Sequence, residues 1–272
     1  MLIKNKLKET FSGGRVAIGT WLNFAHTSNA EILASSGFEF VGIDMEHSVI
    51  GLYDMQNVIL AIEASGACPL VRLTGNDPNQ VKQVMDAGAY GIIVPMVKSV
   101  AEAEMAVKAT KYPPVGVRSV GIGRAHKYGY AFEEHFNSAN AESLVIVQIE
   151  HIDALDVIDE IFAVDGVDGY MIGPYDLSGS MGIAGQVRHP RMLEAQSAVL
   201  EAAKRHNVAP GIFIIYPDEE AMQEYIEQGY QFIVVGSDLI FLSETTRANA
   251  KKASNLRDQI VAEKADRGGK GP

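Results

Sequence analysis

Polar side chains gather at the ends of several short apolar segments of the chain. They include Asp44, His47, Arg72, Glu150 and Asp176. Carboxylates supply the oxygen ligands that Mg²⁺ and Mn²⁺ prefer, histidine moves protons near neutral pH, and arginine carries a charge that does not titrate. This combination of residue types fits a reaction in which negative charge develops on an oxygen atom.

Glu150 and Asp176 are the predicted protein ligands of a divalent metal ion. The sequence contains a single cysteine, Cys68, and no pair of histidines at metal spacing, so a sulfur- or nitrogen-rich zinc site is not expected. Two carboxylates leave open positions on an octahedral Mg²⁺, Mn²⁺ or Co²⁺ ion. A 2-oxo acid would fill two of them, and the metal would then stabilise the enolate of a bound pyruvate.

His47 is the predicted proton acceptor, because its ordinary pKa range suits the task. Asp44 and Asp86 are candidates to orient its ring and raise its basicity. Arg72 is predicted to hold a developing oxyanion or a carboxylate. Two alternatives stay open at this point: His47 as a hydrogen-bonded structural residue, and Asp86 as a solvated side chain on a helix.

Enolate chemistry on a 2-oxo acid without a metal would need a lysine that forms a Schiff base and projects from a strand. None of the predicted strands contains a lysine. Lys98 lies a few residues past the fourth predicted strand, where the next helix is expected to begin. The sequence therefore favours metal-dependent chemistry over an imine mechanism.

The elements that must position these residues are eight apolar segments rich in valine and isoleucine, separated by amphipathic stretches. The segments are residues 16–21, 40–44, 70–73, 91–95, 144–150, 169–173, 210–214 and 232–236. Continuous apolar runs are typical of parallel strands buried on both faces. Eight strands alternating with helices in 272 residues favour one (β/α)₈ barrel over an open doubly wound sheet. Barrel active sites form at the C-terminal ends of the strands, where the polar residues lie.

Helices are predicted between these strands and at the end of the chain. The predicted ranges are 30–36, 52–65, 78–87, 100–110, 154–162, 190–206, 219–227 and 242–264. Residues 112–143 are predicted to form a long connection, and the last helix could pack on a neighbouring subunit. The barrel domain is predicted to span residues 1–264, and the tail from Ala265 to Pro272 is predicted to be disordered.

The charge of the chain limits its partners. The sequence has 23 basic and 34 acidic residues, a net charge of −11, which disfavours nucleic acid and anionic membranes as partners. No apolar run approaches the length of a membrane span, and the N-terminus has no signal-peptide core. We expect a cytoplasmic protein that binds a small molecule.

Six segments of the sequence resemble the HpcH/HpaI aldolase family, and the resemblance covers most of the chain from about Gly19 to Gly236. The segments are IDMEH (43–47), KQVMDAGA (82–89), VPMV (94–97), YPPVGVR (112–118), VQIE (147–150) and GVDGYMIGPYDLSGSMG (166–182). The last two are the most specific of the six.

The resemblance implies reversible cleavage of a 4-hydroxy-2-oxo acid into pyruvate and an aldehyde. It implies that His47 is the base, that Asp86 increases its basicity, that Arg72 stabilises the transition state, and that Glu150 and Asp176 bind the metal. Substrate contacts are assigned to Trp21, Gln148, Gly173, Pro174, Tyr175, Asp176 and Phe213. The resemblance also implies a homo-oligomer, a hexamer built as a trimer of dimers, whose C-terminal helix is exchanged between subunits.

Three departures from the family pattern concern the aldehyde and not the chemistry. Residues 212–217 are bulkier and more aromatic than expected for the heptanedioate enzymes, Tyr175 replaces a usually small residue, and the loop at residues 124–136 also differs. Three rival activities remain: an oxaloacetate decarboxylase, an acyl-CoA lyase resembling the citrate lyase β chain, and a non-catalytic metabolite-binding protein. The CoA lyase is disfavoured because the acidic chain has no cluster of basic residues.

Overall fold

Eight parallel strands close into a barrel in a computed structural model that describes residues 4–268, with side chains to residue 264. Each strand pairs with its sequence neighbours, and the first strand pairs with the last. The strands are β1 (Ala17–Leu22), β2 (Phe40–Asp44), β3 (Cys68–Arg72), β4 (Gly91–Val94), β5 (Leu144–Ile149), β6 (Gly169–Ile172), β7 (Ala209–Ile214) and β8 (Phe232–Ser237). The predicted (β/α)₈ barrel is confirmed.

The helices connect consecutive strands around the outside of the barrel, apart from α1, which precedes β1, and α11, which follows β8. They are α1 (Lys6–Ser12), α2 (Thr27–Ser35), α3 (Leu52–Ala64), α4 (Pro78–Asp86), α5 (Val100–Thr110), α6 (Phe132–Glu142), α7 (Ile158–Phe162), α8 (Pro174–Ser180), α9 (Pro190–His206), α10 (Glu219–Gln228) and α11 (Asp238–Gly268). Local signals set their ends: the Asp77 side chain accepts a hydrogen bond from the Asn79 N–H, with proline at the first helical position of α4.

Two apolar layers hold the barrel together. Valine, isoleucine and alanine side chains fill the space between the strands and the helices. Inside the barrel, Phe40 stacks on Phe232 with ring centroids 4.6 Å apart, and Phe11 of α1 packs edge-on against Phe232 at 5.6 Å. Gly42 makes room for Trp21, because a Cβ atom at position 42 would collide with the indole ring. The interior is thus a packed core that supports the C-terminal end.

The prediction of one long connection at residues 112–143 was wrong. This segment contains a 3₁₀ helix at Arg124–Gly129 and then the helix α6. Phe132, His135, Phe136 and Ala139 recur at the spacing of one helix face, and that pattern was overlooked because the surrounding glycines and prolines suggested a loop. The predicted helix at 154–162 is instead a 3₁₀ helix, Ile152–Val157, followed by the short α7.

The last helix, α11, starts four residues before its predicted beginning and continues to Gly268. The predicted disorder therefore does not apply to residues 265–268, and residues 269–272 lie outside the described part of the chain. Near its start α11 packs on the barrel, where Phe241 stacks on Phe38. From residue 244 to residue 264 nearly every side chain is exposed, including Leu256 and Ile260. Within residues 4–268, no helix is long and apolar enough to cross a membrane.

Candidate active site at the C-terminal end of the barrel

The predicted site residues lie at one end of the barrel, with one exception. Asp44 and Arg72 are the last residues of the neighbouring strands β2 and β3 and are paired in register. Glu150 follows β5 directly, and Asp176 lies in the first turn of α8, just after β6. Because all strands are parallel, these positions share the C-terminal mouth of the barrel, where catalytic groups of this fold are found.

Asp44 and Arg72 form a two-point ion pair. The Arg72 Nε donates to Asp44 Oδ1 at 2.9 Å, and Nη2 donates to Oδ2 at 2.7 Å. The guanidinium also lies over the Trp21 ring, 4.6 Å from its centroid. Asn23 supports the carboxylate by donating from Nδ2 to Asp44 Oδ2 at 3.0 Å. Arg72 is therefore held on two sides and presents a fixed positive charge.

The Asp44 carboxylate is ionised in this setting. Its burial alone would raise its pKa, and burial is the largest single influence. The hydrogen bonds and positive charge of Arg72, together with the backbone N–H of His47, outweigh burial and lower the pKa below its ordinary value. Asp44 Oδ1 accepts the N–H groups of both Glu46 and His47, so it also fixes the turn after β2.

Glu150 is only 2 % exposed and is fixed by its neighbours. Its Oε1 accepts the backbone N–H of Met96 at 2.7 Å, and its Oε2 accepts a hydrogen bond from Gln148 Nε2. Met96 adopts a left-handed backbone conformation with φ of 56°, which is uncommon and strained for a residue with a side chain. A Cβ atom at Gly173 would run into the Glu150 carboxylate, so glycine is required there.

The oxygen atoms around Glu150 and Asp176 at the mouth of the barrel suit a cation. Burial raises the pKa of Glu150, and the charge of Asp176 raises it further. The Asp176 carboxylate is exposed and has no hydrogen-bond partner among the described residues. Gln148 Oε1 and Glu46 Oε2 are buried without a hydrogen-bond partner. These oxygen atoms fit a hard divalent ion with its water shell. Among the described side chains, no group of three or more His, Cys, Asp or Glu residues could hold a metal ion, and the two-ligand site remains a prediction.

His47 is 61 % exposed, and its Nε2 lies 3.6 Å from Glu46 Oε2. Burial raises the pKa of Glu46, and the neighbouring charge of Glu150 adds to this effect. The Glu46 carboxylate also lies 3.5 Å from Arg72 Nε. Sequence reasoning did not assign a role to Glu46, although it directly precedes the predicted base. Its position between the base and the arginine could not be inferred from spacing.

The structure does not bring Asp86 to His47 within the chain. Asp86 ends α4, at the opposite end of the barrel, where its Oδ1 accepts a hydrogen bond from Arg118 Nη2 at 2.5 Å. Asp44 likewise contacts His47 only through the backbone N–H. The expectation that either carboxylate orients the imidazole ring is thus not met inside one chain, because the first is too distant and the second is engaged by Arg72.

We expect Asp86→Asn to lower the free energy of unfolding by about 3 kcal/mol, because it leaves the buried Arg118 charge without its counterion. Urea unfolding of the single variants and of Asp86→Asn with Arg118→Met measures the coupling. The double variant should recover part of the loss. Equal stability of Asp86→Asn and the parent chain would contradict this role of the ion pair.

The other residues that were predicted to contact the substrate also lie around the mouth of the barrel. Trp21 is only 2 % exposed and packs edge-on against Phe213, with ring centroids 6.3 Å apart. Gly173, Pro174 and Tyr175 lead from β6 into α8, and the Tyr175 side chain is exposed. Sequence reasoning missed Asn23 and Met96, which hold Asp44 and Glu150. A polar residue just after β1 was a weak signal for Asn23, and Met96 lies in the VPMV segment (94–97), which did not indicate its contact with Glu150.

Comparisons with known proteins agree on one family. The model of the family described as HpcH/HpaI aldolase/citrate lyase matches residues 17–244. A 4-hydroxy-2-oxo-heptane-1,7-dioate aldolase from Salmonella paratyphi C is 38 % identical over 252 residues, which cover 92 % of this chain and 95 % of the relative.

Solved structures give the same result. An HpcH/HpaI aldolase/citrate lyase family protein from Burkholderia cenocepacia J2315 is 35 % identical, with a TM-score of 0.87, over 92 % of this chain and all of the other. The citrate synthase SbnG is 30 % identical, with a TM-score of 0.82, over 93 % of this chain and 98 % of the other.

Proposed function

The chain belongs to the HpcH/HpaI aldolase/citrate lyase family, and from this we propose that it is a carbon–carbon lyase that reversibly cleaves a 4-hydroxy-2-oxo acid into pyruvate and an aldehyde. The observation that carries the proposal is the arrangement of Glu150 and Asp176 beside the Asp44–Arg72 pair at the barrel mouth. This arrangement joins two oxygen donors with one fixed positive charge, as a reaction through an enolate requires.

The family generally depends on a divalent metal, and we propose Mg²⁺, Mn²⁺ or Co²⁺ for this chain. Glu150 and Asp176 would hold it, and when bound it would act as a Lewis acid toward the keto oxygen of the 2-oxo acid. Met96 and Gln148 keep the Glu150 carboxylate in one orientation. Such outer contacts commonly tune metal affinity.

The side chains of this protein supply the remaining steps. His47 accepts the proton of the 4-hydroxyl group, directly or through a water molecule, as the bond between C3 and C4 breaks. The electron pair of that bond moves toward the keto oxygen, and Arg72 stabilises the negative charge that develops there. Return of a proton to C3 completes pyruvate. Glu46 lies beside the proposed base, with its Oε2 3.6 Å from His47 Nε2.

A test of this function is a pyruvate-release assay on a panel of 4-hydroxy-2-oxo acids. We expect release to stop after exhaustive treatment with EDTA and to return when Mg²⁺, Mn²⁺ or Co²⁺ is added. Activity that survives complete removal of the metal would refute the mechanism. Turnover of oxaloacetate alone, or of an acyl-CoA substrate alone, would favour the two rival lyase reactions instead.

We also propose that the chain works as a homo-oligomer, a hexamer of three dimers, in which α11 packs on a neighbouring subunit. The support is the exposure of Leu256, Ile260 and Val261 on a helix that contacts its own barrel only near its start. Apolar side chains at this spacing form a stripe that a partner surface would bury. The cytoplasm remains the expected compartment, since the acidic chain acts on small molecules.

A further inference from the structure

We infer that the aldehyde half of the substrate is uncharged and apolar, and that an aldehyde with its own carboxylate is a poor substrate. This inference rests on the proposed function. It concerns only the part of the substrate beyond C4, which the metal and Arg72 do not hold. The reasons lie in how charged and apolar side chains are distributed around the barrel mouth.

The two kinds of side chain lie on different strands. The charged groups Asp44, Arg72, Glu150 and Asp176 belong to β2, β3, β5 and β6 and to the residues that follow them. The aromatic groups Phe213, Tyr216, Trp21 and Phe24 belong to β7 and β1 and to the residues that follow them. Because β7, β8 and β1 are consecutive in the closed barrel, these four aromatic residues form one side of the mouth, which we call the aromatic side.

The aromatic side has a buried floor and an exposed rim. Trp21 and Phe213 pack edge-on at the floor, while Phe24 is 45 % exposed and Tyr216 is 59 % exposed. The floor begins next to the reaction site, since the Arg72 guanidinium lies over the Trp21 ring. A 2-oxo acid held by Arg72 would therefore extend its aldehyde half over aromatic carbon, which favours an apolar chain.

Among the described residues, the connections on this side offer no lysine or arginine to a second carboxylate. The residues that connect β7 to α10 (215–218) and β1 to α2 (23–26) include no lysine or arginine. The start of α10 is acidic, with Asp218, Glu219 and Glu220 all exposed. After β8, the buried Asp238 carboxylate accepts the backbone N–H groups of Asn23 and Phe24. A substrate carboxylate at this side would be partly desolvated, unpaired and repelled.

Two basic residues in the other connections belong to different elements. Lys98 follows β4, and Arg188 lies between α8 and α9. Arg72 is already shared between Asp44 and Glu46. The relatives named for heptane-1,7-dioate imply an aldehyde that ends in a carboxylate. The aromatic side of this chain is suited to an aldehyde without a carboxylate.

The experiment compares two aldehydes of matched size in condensation with pyruvate by the Mn²⁺-loaded protein. They are 4-oxobutanoate and 4-methylpentanal, in which an isopropyl group replaces the carboxylate. We expect kcat/KM for 4-methylpentanal to be at least about tenfold higher. Tyr216→Lys should reduce this ratio by about tenfold, because it supplies the missing cation. Ile32→Lys, an exposed apolar position on α2, is the matched control and should leave the ratio unchanged.

Exchange of the pyruvate methyl protons, measured without any aldehyde, separates the two possible failures. If exchange occurs but 4-oxobutanoate is the better substrate, this inference is wrong and the proposed function stands. If exchange is absent in the presence of metal, the proposed function itself fails, and the inference with it. Equal effects of Tyr216→Lys and Ile32→Lys would show that overall charge, and not the aromatic side, sets the preference.

Discussion

Glu150→Ala is expected to slow metal-dependent exchange of the pyruvate methyl protons by at least about a hundredfold. The substitution removes one of the two proposed metal ligands, and Asp176 alone would hold the ion less tightly. It also leaves the Met96 N–H and the Gln148 amide without their acceptor. The measurement is proton NMR of pyruvate in D₂O with excess Mn²⁺ removed before acquisition.

Two companion variants separate loss of the ligand from loss of the fold. Glu150→Gln retains an oxygen acceptor for the Met96 N–H, so it should fold normally and still show slow exchange. Glu104→Ala, an exposed position on α5 paired with Lys108, should exchange as fast as the parent chain. Unchanged exchange in folded Glu150→Ala would remove this residue from the site.

Asp44→Asn is expected to reduce kcat/KM for aldol cleavage by about a hundredfold, because the Arg72 guanidinium loses its two-point anchor and shifts. We also expect a loss of about 2 kcal/mol in the free energy of unfolding at neutral pH, since charge-assisted hydrogen bonds are replaced by weaker ones. Steady-state kinetics and urea unfolding measure the two effects. Asp54→Asn, at an exposed position on α3, is the control.

The loss of stability in Asp44→Asn is expected to depend on pH in one direction. The folded-state pKa of Asp44 lies below the ordinary value of 3.8. The stability that Asp44 contributes is therefore fully present above about pH 4 and disappears as the pH falls through the folded-state pKa. The parent chain and Asp44→Asn should converge in stability under acidic conditions. A difference that persists unchanged to the lowest pH would contradict this account.

The fold was largely predictable because a parallel barrel needs strands that are apolar on both faces. The predicted strand at residues 40–44 agrees with β2, and the predicted helix at 190–206 agrees with α9. Both carry strong local signals: an unbroken apolar run in the first, and in the second a proline start with an amphipathic pattern. The helix α6 was missed because its apolar face is short and lies within a segment rich in glycine and proline.

The residues that form the candidate site were easier to predict from the sequence than the contacts between them. Barrel topology places strand ends together, so residues such as Arg72 and Glu150 could be grouped from their positions alone. Which carboxylate faces which partner depends on helix length and side-chain direction. Asp86 lies a whole helix away from the mouth, although it belongs to a motif of the family. The support that Met96 gives to Glu150 depends on one backbone torsion, which spacing does not encode.

Closure of the barrel also affects how readily the chain aggregates before it is folded. Segments such as Leu144–Ile149 and Phe232–Ser237 contain no charged residue and would readily pair with other chains if their edges were exposed. In the folded protein every strand has a neighbour on both sides, so no edge is available for aggregation. That protection is complete only when β1 meets β8, the two strands farthest apart in sequence. Until these two strands meet, aggregation remains a hazard during synthesis and refolding.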